Sequence, residues 1–223
     1  MSLAERRQRE KEARRRSILD TARALFVEKG FEATTMQEIA DAAELSKAAI
    51  YLYFKDKAEL LDEILFAAFN RFYSFLAERS SAVGSGLERF VVMGKAYGDY
   101  AREYPDDLRL AQSVDILTVP LVGHSPHPER FQAILSNFAE ELAQSFEAGV
   151  RDGTLRPDLD CRKTAVLVVE LVPAFLQRLA RDEGSVKENT GFDSGELSAH
   201  LFELLIHSLK NPAHKEEIRE QAP

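Results

Sequence analysis

The 223-residue chain has one cysteine and no long uninterrupted apolar segment. Cys161 cannot form an internal disulfide, which favours a reducing compartment. The longest apolar run, residues 165–176, contains Glu170 and Pro173 and is too short to span a bilayer. No apolar stretch of signal-peptide length follows the charged N-terminus. We therefore expect a cytoplasmic protein without a membrane segment.

Strand patterns are also missing from the sequence. No segment alternates apolar and polar residues in a convincing way, and no Asn-Gly or Asp-Gly turn joins two strand-like runs. Hydrophobic residues make up 45% of the chain and recur at spacings of three and four almost throughout. This pattern predicts an all-α fold with a substantial core.

The motifs of common enzymes are absent as well. The sequence offers no Ser/His/Asp set, no HExxH, no glycine-rich cofactor turn and no paired cysteines. His124 and His127 are too few for a metal site without a third ligand nearby. We therefore expect no catalytic residues, no cofactor and no metal. An α-helical enzyme and a helical interaction module remain the alternatives to the function developed below.

Charge is unevenly distributed along the chain. Residues 1–60 contain 12 Lys and Arg against 11 Asp and Glu, whereas the remaining residues contain 17 against 26. Within the first 16 residues, seven basic groups stand against three acidic ones. This distribution, an acidic chain with a basic N-terminal arm, indicates that a polyanion would bind at the N-terminal end. The plain alternative is that residues 6–16 are a solvated, frayed helix start. We expect the first helix over residues 10–29.

A helix-turn-helix is predicted from residues 34–61, which read TTMQEIADAAELSKAAIYLYFKDKAELL. Thr34 is the expected N-cap of the second helix of the chain, with Gln37 completing a capping box. A tight turn follows near Ala43, and Ser46 caps the next helix, which directs Ile50 inward. Asp56 caps a long fourth helix, with Glu59 as its capping-box partner. On spacing alone, an ordinary helical corner with surface lysines is equally compatible.

Duplex DNA is the partner that the polar side chains of this predicted helix-turn-helix suit best. The third helix is short enough to lie in a major groove and to present its first turn to base edges. Lys47 can reach a guanine or a phosphate, and Tyr51, Tyr53, Lys55 and Lys57 can hold the backbone on either side. Hydroxyl and N–H groups at a helix N-terminus provide a phosphate site.

The same stretch, extended to residues 17–65, resembles the DNA-binding domain of the TetR family of bacterial repressors. The resemblance rests on Gly30-Phe31, Thr34-Thr35, Ile39-Ala40, Ser46-Lys47, Ile50-Tyr51, Tyr53-Phe54 and Lys57. It implies base-reading positions at Lys47, Ala48 and Ala49. It implies phosphate contacts at Thr34, Thr35, Tyr51, Tyr53 and Lys57, and we count the helix cap Ser46 in the same DNA-binding set.

The turn departs from the family pattern at Glu44, where glycine is common. A left-handed backbone at a residue other than glycine costs about 1 kcal/mol. Ala48 and Ala49 replace more usual residues, which leaves Lys47 as the one strong donor for base edges, although both alanines can touch a thymine methyl.

Domain bounds follow from these patterns and from the linker-like residues 80–86. We expect a DNA-binding domain over residues 1–57 with its basic arm at 1–16, a connecting helix at 58–80, a helical effector-binding and dimerisation domain at 81–211, and a polar tail at 212–223. The resemblance implies a ligand-responsive repressor that binds a pseudo-palindromic operator as a homodimer and is released by a small-molecule effector of unknown identity. The sequence leaves activation open.

Two helices near the C-terminus are apolar around most of their surface, which favours burial against a second copy. The predicted dimerisation residues are Val168, Phe175, Leu201, Leu204 and Leu205, although a fully internal position would also explain both helices. Gly94 and Gly98 lie on one helix face and leave room for close packing or for a ligand. The predicted ligand-binding residues are Tyr97, Tyr100, Gln112, Asp115, Phe138 and Glu170.

Overall fold

The computed structural model describes residues 2–81, 84, 86–113, 125, 127–181 and 183–213. Its helices are α1 Leu3–Lys29, α2 Met36–Ala42, α3 Lys47–Tyr51, α4 Lys57–Ser81, α5 Gly86–Glu103, α6 Pro105–Ser113, α7 Pro128–Arg151, α8 Cys161–Arg181, α9 Glu183–Thr190 and α10 Ser194–Leu209. Across these residues the only β pairing is an isolated bridge between Leu155 and Lys210. The all-α prediction is confirmed.

The chain divides into two compact units. Unit 1 comprises Met1–Arg71 and Tyr104–Phe131, and unit 2 comprises Phe72–Glu103 and Gln132–Pro223. Helix α4 contributes residues to both. The sequence pattern did not anticipate that α6 would belong with the first helices, and the predicted domain bounds stay predictions.

Helix α1 begins earlier than the sequence analysis expected. Ser2 caps it by accepting a hydrogen bond from the N–H of Glu5, whose carboxylate in turn accepts the N–H of Ser2. Further along the exposed surface, Arg6 pairs with Glu10 at 2.9 Å, and Gln8 donates to Glu12. These local bonds stabilise a helix from Leu3 onward, so the predicted helix start near residue 10 is wrong.

The core of unit 1 lies where α1 meets the helix-turn-helix and the start of α4. Ile18, Ala22 and Phe26 of α1 are fully buried, as are Ile39 of α2 and Ile50 of α3. The stripe at spacings of four on α1 thus packs on the same cluster as the inward residues of the next two helices.

A buried carboxylate joins three helices of unit 1. Asp107, at the start of α6, is 3% exposed and accepts hydrogen bonds from Arg23 of α1 at 2.7 Å and Arg71 of α4 at 3.2 Å. The Arg71 guanidinium also lies 5.2 Å from the centre of the Tyr104 ring. Because a buried charge is costly unless it is paired, these contacts fix α6 against α1 and α4.

Unit 2 contains two close approaches between helices that require glycine. A Cβ added at Gly86 of α5 would lie 2.6 Å from the Cα of Gly149 in α7. One added at Gly94 would lie 2.9 Å from the Phe202 ring of α10, whereas one at Gly98 would meet nothing within 4 Å. Gly94 and Gly98 lie on one face of α5, but only Gly94 is in close contact with another helix.

Candidate DNA interface and ligand cavity

Helix α2 is capped one residue later than the sequence analysis expected. Thr35, and not Thr34, accepts the N–H of Glu38, and the Glu38 carboxylate accepts the N–H of Thr35 at 2.8 Å. Lys29 donates to the other oxygen of that carboxylate at 3.0 Å. The bonds from Lys29 and Thr35 lower the pKa of Glu38 to about 2, so the cap stays ionised at ordinary pH.

The two adjacent threonines have different environments. Thr34 is 1% exposed, and its hydroxyl donates to the carbonyl oxygen of Gly30 at 2.8 Å. Thr35 is exposed at the start of α2. A phosphate at this helix end would therefore meet Thr35 and the backbone, while Thr34 contributes through the shape of the loop.

The turn between α2 and α3 has a left-handed residue. Glu44 has a φ of 54°, and it is the only residue other than glycine with a positive φ in the described part of the chain. The N–H of Leu45 then bonds to the carbonyl of Ala40 at 2.9 Å, which closes the turn on α2. Glu44 thus has the left-handed backbone that glycine adopts most easily, at a cost in stability.

Helix α3 presents its first turn outward. Ser46 caps it by accepting the N–H of Ala49 at 3.1 Å, as the sequence predicted. Lys47 and Ala48 are exposed, while Ile50 is completely buried and anchors the helix. Half of the Tyr51 side chain is exposed, and Tyr53 is partly buried. The structure thus brings the predicted base-reading positions together on one accessible turn.

Lys57 differs from the other predicted contacts because its ammonium group is used inside unit 1. Its Nζ donates to the carbonyl oxygens of Phe31 at 2.6 Å, Thr34 at 2.8 Å and Glu32 at 3.3 Å. It also lies 4.3 Å from the centre of the Phe31 ring. These contacts occupy all three donors of the ammonium, so Lys57 holds the loop before α2, and its contact with phosphate stays a prediction.

A narrow apolar cavity lies within unit 2. Its volume is about 30 Å³, which is room for one or two water molecules. Tyr73 and Tyr97 are the only polar side chains among its lining residues, which are Phe72, Tyr73, Leu76, Phe90, Met93, Gly94, Tyr97, Phe138, Val168, Val169, Val172, Pro173 and Phe202. Burial raises the pKa of Tyr97 to about 12 and also raises the pKa of Tyr73.

The predicted ligand-binding residues are distributed unevenly around this cavity. Tyr97 and Phe138 line it, Tyr100 is buried beside the Phe72 ring, and Glu170 is exposed. The side chains of Gln112 and Asp115 lie outside the described residues. Sequence reasoning missed Tyr73 and Phe202, because both sit on apolar helix stripes that read as core.

A second, larger pocket of about 420 Å³ adjoins the cavity and shares Met93 and Phe138 with it. Arg89, Glu141 and Arg151 provide charged groups along its wall. The hydroxyl of Ser145, also in this wall, is buried without a hydrogen-bond partner among the described residues. The pocket can therefore hold a polar group next to the apolar cavity.

An apolar groove runs between α8 and α10. Of the predicted dimerisation residues, Val168, Phe175, Leu201 and Leu205 line it, and Leu204 is 55% exposed. Val168 is itself buried within the protomer. Leu167 and Leu171 add two further exposed side chains, at 56% and 61%. These two helices are not internal, so the fully internal alternative does not explain their apolar surface.

Membrane-spanning helices and metal sites are both absent from the described residues. No helix there is long and apolar enough to cross a membrane. No group of three or more His, Cys, Asp and Glu side chains in the same part of the chain is placed to hold a metal ion.

An N-terminal helix-turn-helix followed in the chain by a larger helical unit is typical of one-component transcriptional regulators. Residues 18–64 match the family model described as "Bacterial regulatory proteins, tetR family". The repressor KstR2 of Rhodococcus jostii (strain RHA1) is 32% identical over 190 residues, which cover 81% of this chain and 86% of that protein. The chain belongs to the TetR family of transcriptional regulators.

Other relatives agree with this assignment. KstR2 of Mycobacterium tuberculosis (strain ATCC 25618 / H37Rv), also named a transcriptional repressor, is 26% identical over 74% of this chain and 76% of its own length. The fold resembles a transcriptional regulator from Saccharomonospora viridis in complex with choline, with a TM-score of 0.69 at 20% identity over 90% of this chain and 98% of that one. It also resembles FadR of Bacillus subtilis in complex with stearoyl-CoA, with a TM-score of 0.62 at 19% identity over 86% and 97%. The named repressors favour repression over the enzyme and interaction-module alternatives.

Replacing Lys57 by Met tests the internal role of its ammonium. The change keeps most of the aliphatic stem but leaves three loop carbonyls without their charged donor, so we expect the free energy of unfolding to fall by about 2 kcal/mol. Urea denaturation followed by circular dichroism measures the difference. Lys55→Met is the matched control and should stay within about 0.5 kcal/mol of the unaltered chain. Equal stability of the two variants would show that the bonds of Lys57 contribute nothing.

Proposed function

We propose that this repressor binds a pseudo-palindromic operator as a homodimer, with α3 of each protomer in the major groove, and that a mostly apolar effector in the unit 2 cavity releases it. The observation that carries the proposal is the exposed first turn of α3. It holds Lys47 outward on a helix whose opposite side is anchored by buried Ile50. This geometry suits base reading by one lysine with support from phosphate contacts around it.

Few side chains of α3 are available to read sequence. Lys47 can make a bidentate contact with the O6 and N7 acceptors of guanine, while Ala48 can only touch a thymine methyl. Lys55 lies beyond the helix and is exposed, so it is placed to meet the backbone. The two lysines therefore have the same charge and different expected roles.

Alanine substitutions at these two positions separate the roles. Lys47→Ala should weaken binding to an operator selected from genomic fragments by about 1–3 kcal/mol and relax the preference over arbitrary DNA. Lys55→Ala should weaken both kinds of DNA alike and reduce the salt slope by about 0.9. Fluorescence anisotropy across a salt series measures both. If Lys47→Ala also weakens both kinds of DNA equally, Lys47 is a phosphate contact.

The groove between α8 and α10 supports the homodimer. A stretch of exposed leucine and phenylalanine on two adjacent long helices is costly in water, and a second copy would cover it with the same surface across a twofold axis. The two helices of each protomer would then form a four-helix bundle. Two linked copies of α3 would bind two half-sites far more tightly than one copy binds either.

A charge in this groove tests the dimer. Leu205→Glu should place an unpaired carboxylate in the interface, so sedimentation should show monomers and operator affinity should fall steeply. Leu171→Glu should do the same, and because Leu171 is 61% exposed in one protomer, its replacement leaves the protomer's own core intact. Phe192→Glu, at an exposed apolar residue outside the groove, is the control and should stay dimeric. If all three variants stay dimeric, the dimer interface does not lie in this groove.

The unit 2 cavity supports an effector that is largely apolar. Its wall is almost entirely hydrocarbon and aromatic, and Tyr97 supplies one hydroxyl for orientation. The adjoining pocket, with Arg89 and Arg151, would accept a polar end. Among similar folds, stearoyl-CoA is a ligand of this amphipathic kind. Choline is a quaternary ammonium cation, which the aromatic rings of the wall could also bind.

Linkage between effector and operator gives the decisive measurement. If the effector lowers operator affinity by a given factor, operator DNA must lower effector affinity by the same factor, commonly about 5–150-fold. Calorimetric titration of a candidate ligand, found by thermal shift in a panel of long-chain acyl compounds, into free protein and into the operator complex measures it. Equal affinity in both titrations would exclude that ligand as the regulator, however tightly it binds.

A further inference from the structure

The charge of the helix-turn-helix does not suit DNA by itself. Residues 17–60 contain five Lys and Arg against eight Asp and Glu, a net charge of −3. Three of the five cations have internal partners: Lys29 with Glu38, Arg23 with Asp107, and Lys57 with the loop carbonyls. The other two, Lys47 and Lys55, are exposed. Most of the charge that DNA requires must come from elsewhere in the chain.

The first half of α1 holds a concentrated supply of positive charge. Residues 3–16, which we call the basic arm, contain seven Lys and Arg against three Glu. The arm is helical, and its side chains are exposed apart from Arg15, which is partly buried. At 1.5 Å per residue it is about 21 Å long, enough to pass alongside several phosphates of a duplex.

One face of the basic arm is directed to the side on which the helix-turn-helix lies. Counting back from buried Ile18 by four, three and four residues gives Arg14, Lys11 and Arg7. Residues at these spacings share a helix face, so the stripe that packs on the unit 1 core continues toward the N-terminus as a basic stripe. Arg9 and Arg16, seven residues apart, lie on the opposite face.

The base of the arm adjoins the predicted backbone contacts. The guanidinium of Arg15 lies 4.9 Å from the centre of the Phe54 ring and bonds to Glu63 at 2.9 Å. Phe54 stands between Tyr53 and Lys55, both placed beside the DNA backbone by the sequence analysis. The basic stripe therefore starts next to the residues that would follow a phosphate strand away from α3.

We propose that the basic arm is a second DNA-binding element, in which Arg7, Lys11 and Arg14 neutralise phosphates flanking the bases that α3 reads. This inference rests on the proposed binding of operator DNA. The arm makes no sequence-specific contact and acts on all duplexes alike. Its contribution is to affinity and to its salt dependence, whereas the choice of sequence stays with α3.

Two double variants with the same charge change test the arm. Arg7→Gln with Lys11→Gln removes two cations from the near face, and Arg9→Gln with Arg16→Gln removes two from the far face. The full-length protein is titrated with a labelled duplex of arbitrary sequence and with the operator, between about 50 and 200 mM salt. Circular dichroism confirms that both variants keep the helix content of the unaltered chain.

The near-face variant should lose about 1.8 from the salt slope on both duplexes, at two phosphates and about 0.9 each. Across that fourfold salt range, the unaltered chain would then lose about twelvefold more affinity than the variant. The far-face variant should keep the original slope, and both should keep the preference for operator. Equal effects of the two variants, or no effect of either, would overturn the proposal while leaving operator binding intact. Failure of the unaltered chain to bind either duplex would overturn the proposed function as well.

Discussion

The geometry of the DNA-facing corner depends on one ammonium group. The loop after α1 carries the backbone carbonyls of Phe31, Glu32 and Thr34, which lie outside any helix, next to the first residue of α4. Lys57 satisfies these oxygens and covers the Phe31 ring. Because α3 lies between α2 and α4, fixing the start of α4 against the loop before α2 also fixes how α3 is presented.

The same use of cations inside unit 1 shapes how an acidic protein can hold DNA. Carboxylates at the cap of α2, at the start of α6 and in α4 each draw one or two basic side chains into internal pairs, namely Lys29 with Glu38, Arg23 and Arg71 with Asp107, and Arg15 and Arg130 with Glu63. These pairs orient helices and contribute no free charge to the surface. In the proposed complex, attraction and reading would be separated: the basic arm would gather the duplex, and a short helix with one lysine would choose the sequence.

Prediction from sequence succeeded where a local sequence pattern is compatible with only one structure. The helical pattern and the cap at Ser46 follow from spacing and side-chain chemistry, and both are confirmed. It failed where two neighbours satisfy the same rule. Thr34 with Gln37 and Thr35 with Glu38 both read as capping boxes, and only the packing of the loop on α1 decides that Thr34 is buried.

The same limit applies to longer-range contacts. Lys55 and Lys57 are equivalent in sequence, yet only the second reaches carbonyls more than twenty residues away. Gly94 and Gly98 share a face of α5, yet only Gly94 faces a ring on α10. Tertiary packing makes these distinctions, and no local pattern encodes them. The predicted site residues on α3 needed no such information, because a short exposed helix presents its first turn whatever lies behind it.

The size of the unit 2 cavity sets a condition on any effector. A space of about 30 Å³ holds water, whereas ligand sites commonly have about 300–1,000 Å³, so binding requires side chains to move. Phe202 lies against Gly94 and belongs to α10, the same helix whose Leu201 and Leu205 line the groove. A ligand that displaces this ring therefore binds a conformation in which α10 has changed its packing. A ligand that binds one packing of α10 more tightly than the other shifts the population toward the packing it prefers. This difference in affinity is the physical basis on which a ligand in unit 2 could regulate the protein.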